Sequence, residues 1–254
     1  MNSISPYVKT SNENSIARIR FHHPASNSFP SEQLYNLTAA IEELGKNKNI
    51  TTVILESEGI GAFCAGASFD ELLNIQNIET GKQFFSGFAN VINAIRKSPQ
   101  IYIGRIQGKA VGGGVGLAAA CDYCFATENA SIKLSELAIG IGPFVIEPAV
   151  SRKIGKTSFA TLSLAAQEWK SASWAHEHGL YSKLVADIET LDIELNAFAE
   201  QFEKYNPEAI FEIKKILWED TNHWETLLFE RALTSGKLVL SDFTVAALKQ
   251  FKGK

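Results

Sequence analysis

Cysteine is scarce in this chain. Three thiols in 254 residues, Cys64, Cys121 and Cys124, are too few for a disulfide framework. Cys121 and Cys124 form a C-x-x-C, but it has no second half-site. It lies in the apolar run AAACDYCFA, which suits buried small side chains better than a redox or zinc pair. The five histidines (His22, His23, His176, His178 and His223) show no ligand spacing with cysteine or acidic partners, so no metal is expected. A basic block is also missing. Acidic and basic residues are intermixed around a net charge of −4, which argues against a nucleic-acid surface. The most apolar stretch, Ala110 to Ala126, is too short to span a bilayer and is broken by glycines and Asp122. Met1 to Thr10 has neither the basic start nor the apolar stretch of a signal peptide, so the cytoplasm is the expected compartment. Repeats and low-complexity segments are absent as well.

With 45% apolar and 20% charged residues, the chain has an ordinary globular composition and enough length to bury a large core. Ala17, Ile19 and Phe21 alternate with Arg18 and Arg20, the period of a half-buried strand. Ser31 opens a helical pattern through Leu34, Leu37, Ile41 and Leu44. TTVILES (Thr51 to Ser57) reads as a buried strand leading into a glycine-bearing loop. Phe84, Phe88, Val91 and Ile95 fall on one helical stripe that ends before Pro99. Strand signals follow at Ile101 to Arg105, Tyr123 to Ala126, Ser131 to Leu134 and Leu180 to Val185. Beyond Asp187 only helix signatures remain, opened at Asn206-Pro207, Thr221 and Ser241-Asp242. This predicts an α/β core over residues 1–190, carrying the active site, and a helical C-terminal domain over 191–254.

Two glycine-bearing segments carry candidate chemistry. In AFCAGASFDEL (Ala62 to Leu72) a strand delivers Gly66 to a tight turn, and Ser68 caps a helix. Amides at that start have no internal partner, so the segment is either a bare strand-to-helix connection or an anion-stabilising turn. In GKAVGGGVGLAAACD (Gly108 to Asp122) three glycines again precede a small-residue helix. The segment lacks G-x-x-x-x-G-K-[ST], and G-x-G-x-x-G fails at Leu117, which disfavours nucleotide phosphates. One N–H from each loop would form the oxyanion hole that acyl chemistry uses. Glu136, in SIKLSELAIGIGP, is flanked by Leu134, Leu137 and Ile139. An apolar setting would raise its pKa toward that of a useful base; the alternative is a side chain pointing to water.

Together, AFCAGASFDEL, GKAVGGGVGLAAACD and SIKLSELAIGIGP resemble, in order and spacing, the signature stretches of the crotonase superfamily, the enoyl-CoA hydratase/isomerase family. The resemblance implies a spiral core of ββα turns. It also implies a C-terminal helical trimerisation domain, giving homotrimers or dimers of trimers, and an acyl-CoA substrate whose CoA serves as the only cofactor-like group. Matching positions put the oxyanion amides at Ala67 and Gly113 and the catalytic base at Glu136. Ala65, Ser68 and Phe69 fall along the CoA side, Gly112 and Phe144 in the substrate site, and Phe251 and Lys254 near the nucleotide.

One departure decides between reactions. Two-carboxylate hydratases carry a glutamate where this chain has Gly116, so only Glu136 remains. The resemblance is nearest to a single-glutamate branch of hydratases acting on branched or carboxylated enoyl-CoAs, of the 3-methylglutaconyl-CoA type. The expected activity is therefore enoyl-CoA hydration. A Δ3,Δ2-type enoyl-CoA isomerase and a non-catalytic acyl-CoA-binding protein are the alternatives. Glu147, in PFVIEPAV, is a candidate second acid/base or a first-turn acid of the helix beside Pro148, and Ser135 is a candidate for orienting Glu136.

Overall fold

The computed structural model describes residues 5–252, with side chains described through 250. Its main sheet runs in the order β1-β2-β3-β4-β6-β8. The strands are β1 (Tyr7–Glu13), β2 (Ile16–His22), β3 (Thr52–Ser57), β4 (Ile101–Ile106), β6 (Tyr123–Thr127) and β8 (Lys183–Val185). Only β1 is antiparallel to its neighbour; every later pair is parallel. β3 is buried along its whole length, which explains the consecutive apolar residues Val53, Ile54 and Leu55, since a central parallel strand is covered on both faces. β2 alternates instead: Ala17, Ile19 and Phe21 are fully buried, while Arg18 and Arg20 turn outward and pair with Glu56.

A second ladder runs beside the sheet. Its rungs are Phe29 against Ala67, Cys64 against Ala110, and β5 (Ala110–Val111) against β7 (Ile132–Lys133). Each chain turn thus places one strand in the sheet, one segment in the ladder and then a helix, which makes the molecule a spiral of ββα turns. Four helices close these turns: α1 (Ser31–Lys46), α2 (Phe69–Leu73), α3 (Ile78–Lys97) and α4 (Gly113–Ala120). α3 starts at a reciprocal cap, with Asn77 Oδ1 accepting from Thr80 N at 2.9 Å, and buries Phe84, Phe88, Val91 and Ile95 on one stripe.

Six further helices follow among the described residues: α5 (Glu147–Leu164), α6 (Ala172–Glu177), α7 (Ile188–Gln201), α8 (Pro207–Leu217), α9 (Trp224–Leu238) and α10 (Asp242–Lys252). α7 and α8 cover the far face of the sheet, where Leu191, Leu195 and Ile210 pack on Ile54, Ile103 and Phe125. A buried ion pair ties α8 to the core: Asp122 accepts from Lys214 Nζ at 2.6 Å and from Trp218 Nε1 at 2.7 Å. α9 lies along α3 so closely that a Cβ on Gly81 would sit 2.8 Å from Gly236 Cα. Among the C-terminal helices, α9 thus packs directly on α3. No helix among the described residues is long and apolar enough to cross a membrane.

The structure departs from the sequence expectations at several elements. The polar strand β1 carried no expected signal. α4 begins at Gly113 rather than near Leu117, so the glycine run is helix as much as loop. β8 starts at Lys183, later than Leu180. Cys121 and Cys124 are buried free thiols whose Sγ atoms donate to the carbonyls of Leu117 and Ala118.

Candidate active site

The ladder brings the two glycine segments and Glu136 together. Val111 N donates to Cys64 O at 2.9 Å, joining the second segment to the first, and Gly112 N donates to Lys133 O at 2.9 Å, joining it to β7. Glu136 comes three residues after Lys133, at the start of a 3₁₀ turn (Glu136–Ile139). The register of β5 and β7 therefore sets its carboxylate against Gly112. A Cβ on Gly112 would lie 2.7 Å from Glu136 Oε1, and the residue has φ +52°, so glycine is required there for both space and conformation.

The first turn is equally tight. Gly66 has φ +87°, and a Cβ there would come within 2.8 Å of Val111 O and 3.3 Å of Gly113 N. Its carbonyl accepts from Phe29 N at 2.8 Å, and Ser68 N donates to Phe29 O at 2.9 Å. These two bonds skip the amide of Ala67, which has no acceptor among the described residues. Gly113 is the first residue of α4, so its N–H has no partner within the helix. Two unpaired N–H groups on touching loops, one of them at a helix N-terminus, can stabilise a developing oxyanion.

Glu136 is the titratable group at this place. Part of the residue retains exposed surface, but its Oε2 is sealed from solvent and has no hydrogen-bond partner among the described residues. Burial pushes its pKa from 4.5 to about 7. A carboxyl poised there can take up and release a proton near neutrality.

These groups open on a cavity of about 140 Å³. Ala65, Ala67, Phe69, Gly112, Gly113, Ser135, Glu136 and Phe144 all line it. Ser68 does not; its hydroxyl accepts from Glu71 N at 3.4 Å and caps α2. The side chain of Phe251 and all of Lys254 lie outside the described residues. Sequence reasoning did not identify Leu72, Ile139, Ile141, Ile146 or Ser235, which also line the wall. Their pattern as apolar or small residues is shared with the core, so nothing in the sequence marked them.

Glu147 is placed away from this cavity. Its carboxylate is buried among Arg231, Lys156 and Ser151, the last donating at 2.6 Å. Burial alone would raise its pKa, but the hydrogen bonds from Lys156, Ser151 and Arg231 outweigh that and hold it below the usual value. A carboxylate kept ionised by two cations at the start of α5 is an anchor. Arg231 also donates to Phe144 O at 3.2 Å, so the anchor fixes the loop bearing Phe144 and Ile146. Ile146 in turn occupies the space beside Gly116: a Cβ on Gly116 would lie 2.7 Å from the Ile146 Cβ. The position that carries a second carboxylate in two-glutamate hydratases faces an apolar side chain here.

Comparison with known proteins shows the family and the fold. The profile described as enoyl-CoA hydratase/isomerase matches residues 11–239, and the chain belongs to that family. It is 27% identical to a probable enoyl-CoA hydratase of Bacillus subtilis over 87% of this chain and 83% of that protein. It is 38% identical to the mitochondrial methylglutaconyl-CoA hydratase of Mus musculus, but only over 46% of this chain and 37% of that protein. The crystal structure of enoyl-CoA hydratase from Bacillus halodurans superposes with a TM-score of 0.90 at 21% identity, covering 96% of this chain and 99% of that one; it shares the fold.

Proposed function

We propose that this member of the enoyl-CoA hydratase/isomerase family adds water to a short α,β-unsaturated acyl-CoA, with Glu136 as its single proton-transfer residue. The observation that carries the reading is the sealed, partnerless Oε2 of Glu136, with a pKa of about 7, beside the unpaired amides of Ala67 and Gly113. The thioester oxygen is held by those two amides, which stabilise the enolate as charge moves onto oxygen. Glu136 removes a proton from water as its oxygen attacks the β-carbon, then returns that proton to the α-carbon. Ionised Glu136 starts this cycle, so kcat/KM rises with pH through about 7. The protein itself moves only protons while the water oxygen bonds to the β-carbon and the double bond is consumed, and CoA enters as part of the substrate.

The Ile146 side chain beside Gly116 favours a second reading. A site with one carboxylate and no second group to hold water suits a Δ3,Δ2-type isomerase, in which Glu136 carries a proton between two carbons of one substrate. Product analysis in ¹⁸O-labelled water separates the two. Crotonyl-CoA giving labelled 3-hydroxyacyl-CoA supports hydration; 3-hexenoyl-CoA giving only an unlabelled isobaric product replaces it with isomerisation. Glu136→Gln abolishes turnover under either reading while CoA binding persists. Unchanged substrates alongside tight CoA binding in the wild type would instead mean a non-catalytic binding protein.

The assembly is proposed to be a trimer or dimer of trimers in the cytoplasm, built through the helical residues 191–254. The apolar side chains Ile213, Ile216 and Leu217, exposed on α8, offer it a contact surface. Sedimentation at micromolar concentration tests the assembly, and a monomer would remove it.

A further inference from the structure

The turn that carries Glu136 has little of its own to hold it in place. Glu136–Ile139 is a single turn of 3₁₀ helix, a geometry whose hydrogen bonds are poor and whose runs are short. At its end Gly140 N donates to Leu137 O at 3.1 Å and Ile141 N donates to Glu136 O at 3.0 Å. Gly140 has φ +84°, so the chain reverses there at a residue with no side chain to pack. What fixes the turn must come from another part of the chain.

The start of α10 covers that backbone. A Cβ on Gly140 would lie 2.6 Å from Phe243 Cδ1, and the Thr244 hydroxyl oxygen is nearer still. Thr244 is fully buried, and its hydroxyl accepts from Ser241 Oγ at 3.0 Å. Phe243 is 67% exposed, so one edge of its ring rests on Gly140 while the remainder meets solvent. Farther along α10, Leu248 packs with Leu72, Phe84 and Ile141 in a buried cluster bordered by Ala67 and Ile139. One helix thus braces the Glu136 turn and reaches the surroundings of the Ala67 amide.

The helices packed on the turn carry charges, namely Asp242 and Lys249 on α10 and Glu147, Arg152, Lys153 and Lys156 on α5. None of them enters the titration of Glu136, which burial raises and a backbone hydrogen bond opposes. The ionisation of Glu136 therefore reports how closely the turn is held over its carboxyl.

We infer that Phe243 is a positioning residue for Glu136, its ring lying on Gly140 beside Thr244 so that the turn keeps the carboxyl against Gly112. This deepens the reading of Glu136 as the proton-transfer group and rests on it. Phe243 itself touches no reacting atom; it acts through Gly140.

Phe243→Ala tests the assignment, with Val245→Ala as the control. Val245 lies on the same helix, is 38% exposed, and is not among the atoms nearest Gly140. Two readouts are compared: steady-state turnover of crotonyl-CoA and 3-hexenoyl-CoA, and ¹³C NMR titration of the Glu136 side-chain carboxyl, assigned by its loss in Glu136→Gln. Phe243→Ala lowers kcat by about ten- to a hundredfold with KM within about twofold. It also raises the acid dissociation constant of Glu136 about tenfold, as water reaches a carboxyl no longer held in place. Phe243→Tyr, which keeps the ring, restores both, and Val245→Ala matches the wild type. Should Phe243→Ala not fold, Phe243→Leu takes its place and lowers kcat in the same direction. A folded Phe243→Ala or Phe243→Leu protein with wild-type kcat and titration overturns the inference, even if its Tm falls; so does an equal effect of Val245→Ala. A wild type that turns over neither thioester removes the proton-transfer reading instead. The titration alone then decides whether Phe243 holds Glu136, with an unchanged midpoint in Phe243→Ala overturning it.

Discussion

Replacing Glu136 with glutamine should make the protein more stable while removing its activity, and the gain should depend on pH. The Glu136 carboxyl titrates near 4.5 in an unfolded chain and near 7 in the folded one, because burial disfavours the charged form. A raised acid pKa means that the folded state binds the proton more tightly. The carboxyl is therefore neutral to stability below about pH 4.5 and increasingly destabilising until pH passes 7, where the penalty levels off. At about 1.36 kcal/mol per tenfold, the wild type gives up roughly 1 kcal/mol at pH 5 and roughly 3 kcal/mol at pH 8. Glutamine has nearly the same shape and no charge, so Glu136→Gln recovers most of that amount at pH 8 and little at pH 5. In a chain of this size about 3 kcal/mol corresponds to roughly 6–12 °C in Tm. Thermal unfolding of both proteins at pH 5, 6, 7 and 8, with the oligomeric state held constant, reads the effect. A Tm difference that stays flat across this range, or that favours the wild type at pH 8, would refute the buried carboxylate with its sealed Oε2.

Three other substitutions probe the same site. Gly112→Ala should lower kcat by about a hundredfold, because its methyl would fall 2.7 Å from Glu136 Oε1 and push the carboxylate aside, and φ +52° is strained for alanine by about 1–2 kcal/mol; unchanged kcat would mean that Glu136 acts from elsewhere. Glu147→Gln should cost about 1–3 kcal/mol in chemical denaturation, by leaving Arg231 and Lys156 undercompensated, with kcat kept within about threefold. A loss of a hundredfold or more would return Glu147 to proton transfer. Gly116→Glu should not raise hydration of crotonyl-CoA unless Ile146 is also truncated, because the new Cβ would fall 2.7 Å from the Ile146 Cβ; faster hydration by the single variant would show that the second carboxylate finds room.

The sequence was most readable where burial is complete. β3, β4 and β6 are central parallel strands, so their apolar runs stand out without any need for alternation. The stripe on α3 was readable because α1 and α9 both cover it. β1 was not, since YVKTSNE is polar and pairs only with β2 at the sheet edge. α7 was missed although Asp187 Oδ1 accepts from Thr190 N at 2.8 Å; that cap looks like an ordinary strand end until the helix beyond it is seen against the sheet. The start of α4 was misplaced for a clearer reason. Glycine is a poor helix former, yet Gly113 and Gly114 are wound into the first turn because Phe88 and Cys64 leave no room for a side chain.

The pairing of Glu147 with Ile146 shows why a list of site residues did not suffice. Sequence could register that Gly116 lacks a carboxylate and that an acid follows eleven residues after Glu136, which suggested a relocated second proton carrier. Packing assigns the two facts to one cause. Arg231 binds both the Glu147 carboxylate and the Phe144 carbonyl, pinning the intervening residues. That anchor presses Ile146 onto α4 at Gly116. The acid and the missing acid are thus linked: an ion pair outside the cavity fixes an apolar wall in the space where a second carboxylate would stand. Under the hydration proposed above, water would be oriented by Glu136 together with Ser135, which also lines the cavity, and one carboxyl with its pKa raised to about 7 is suited to act as both base and acid.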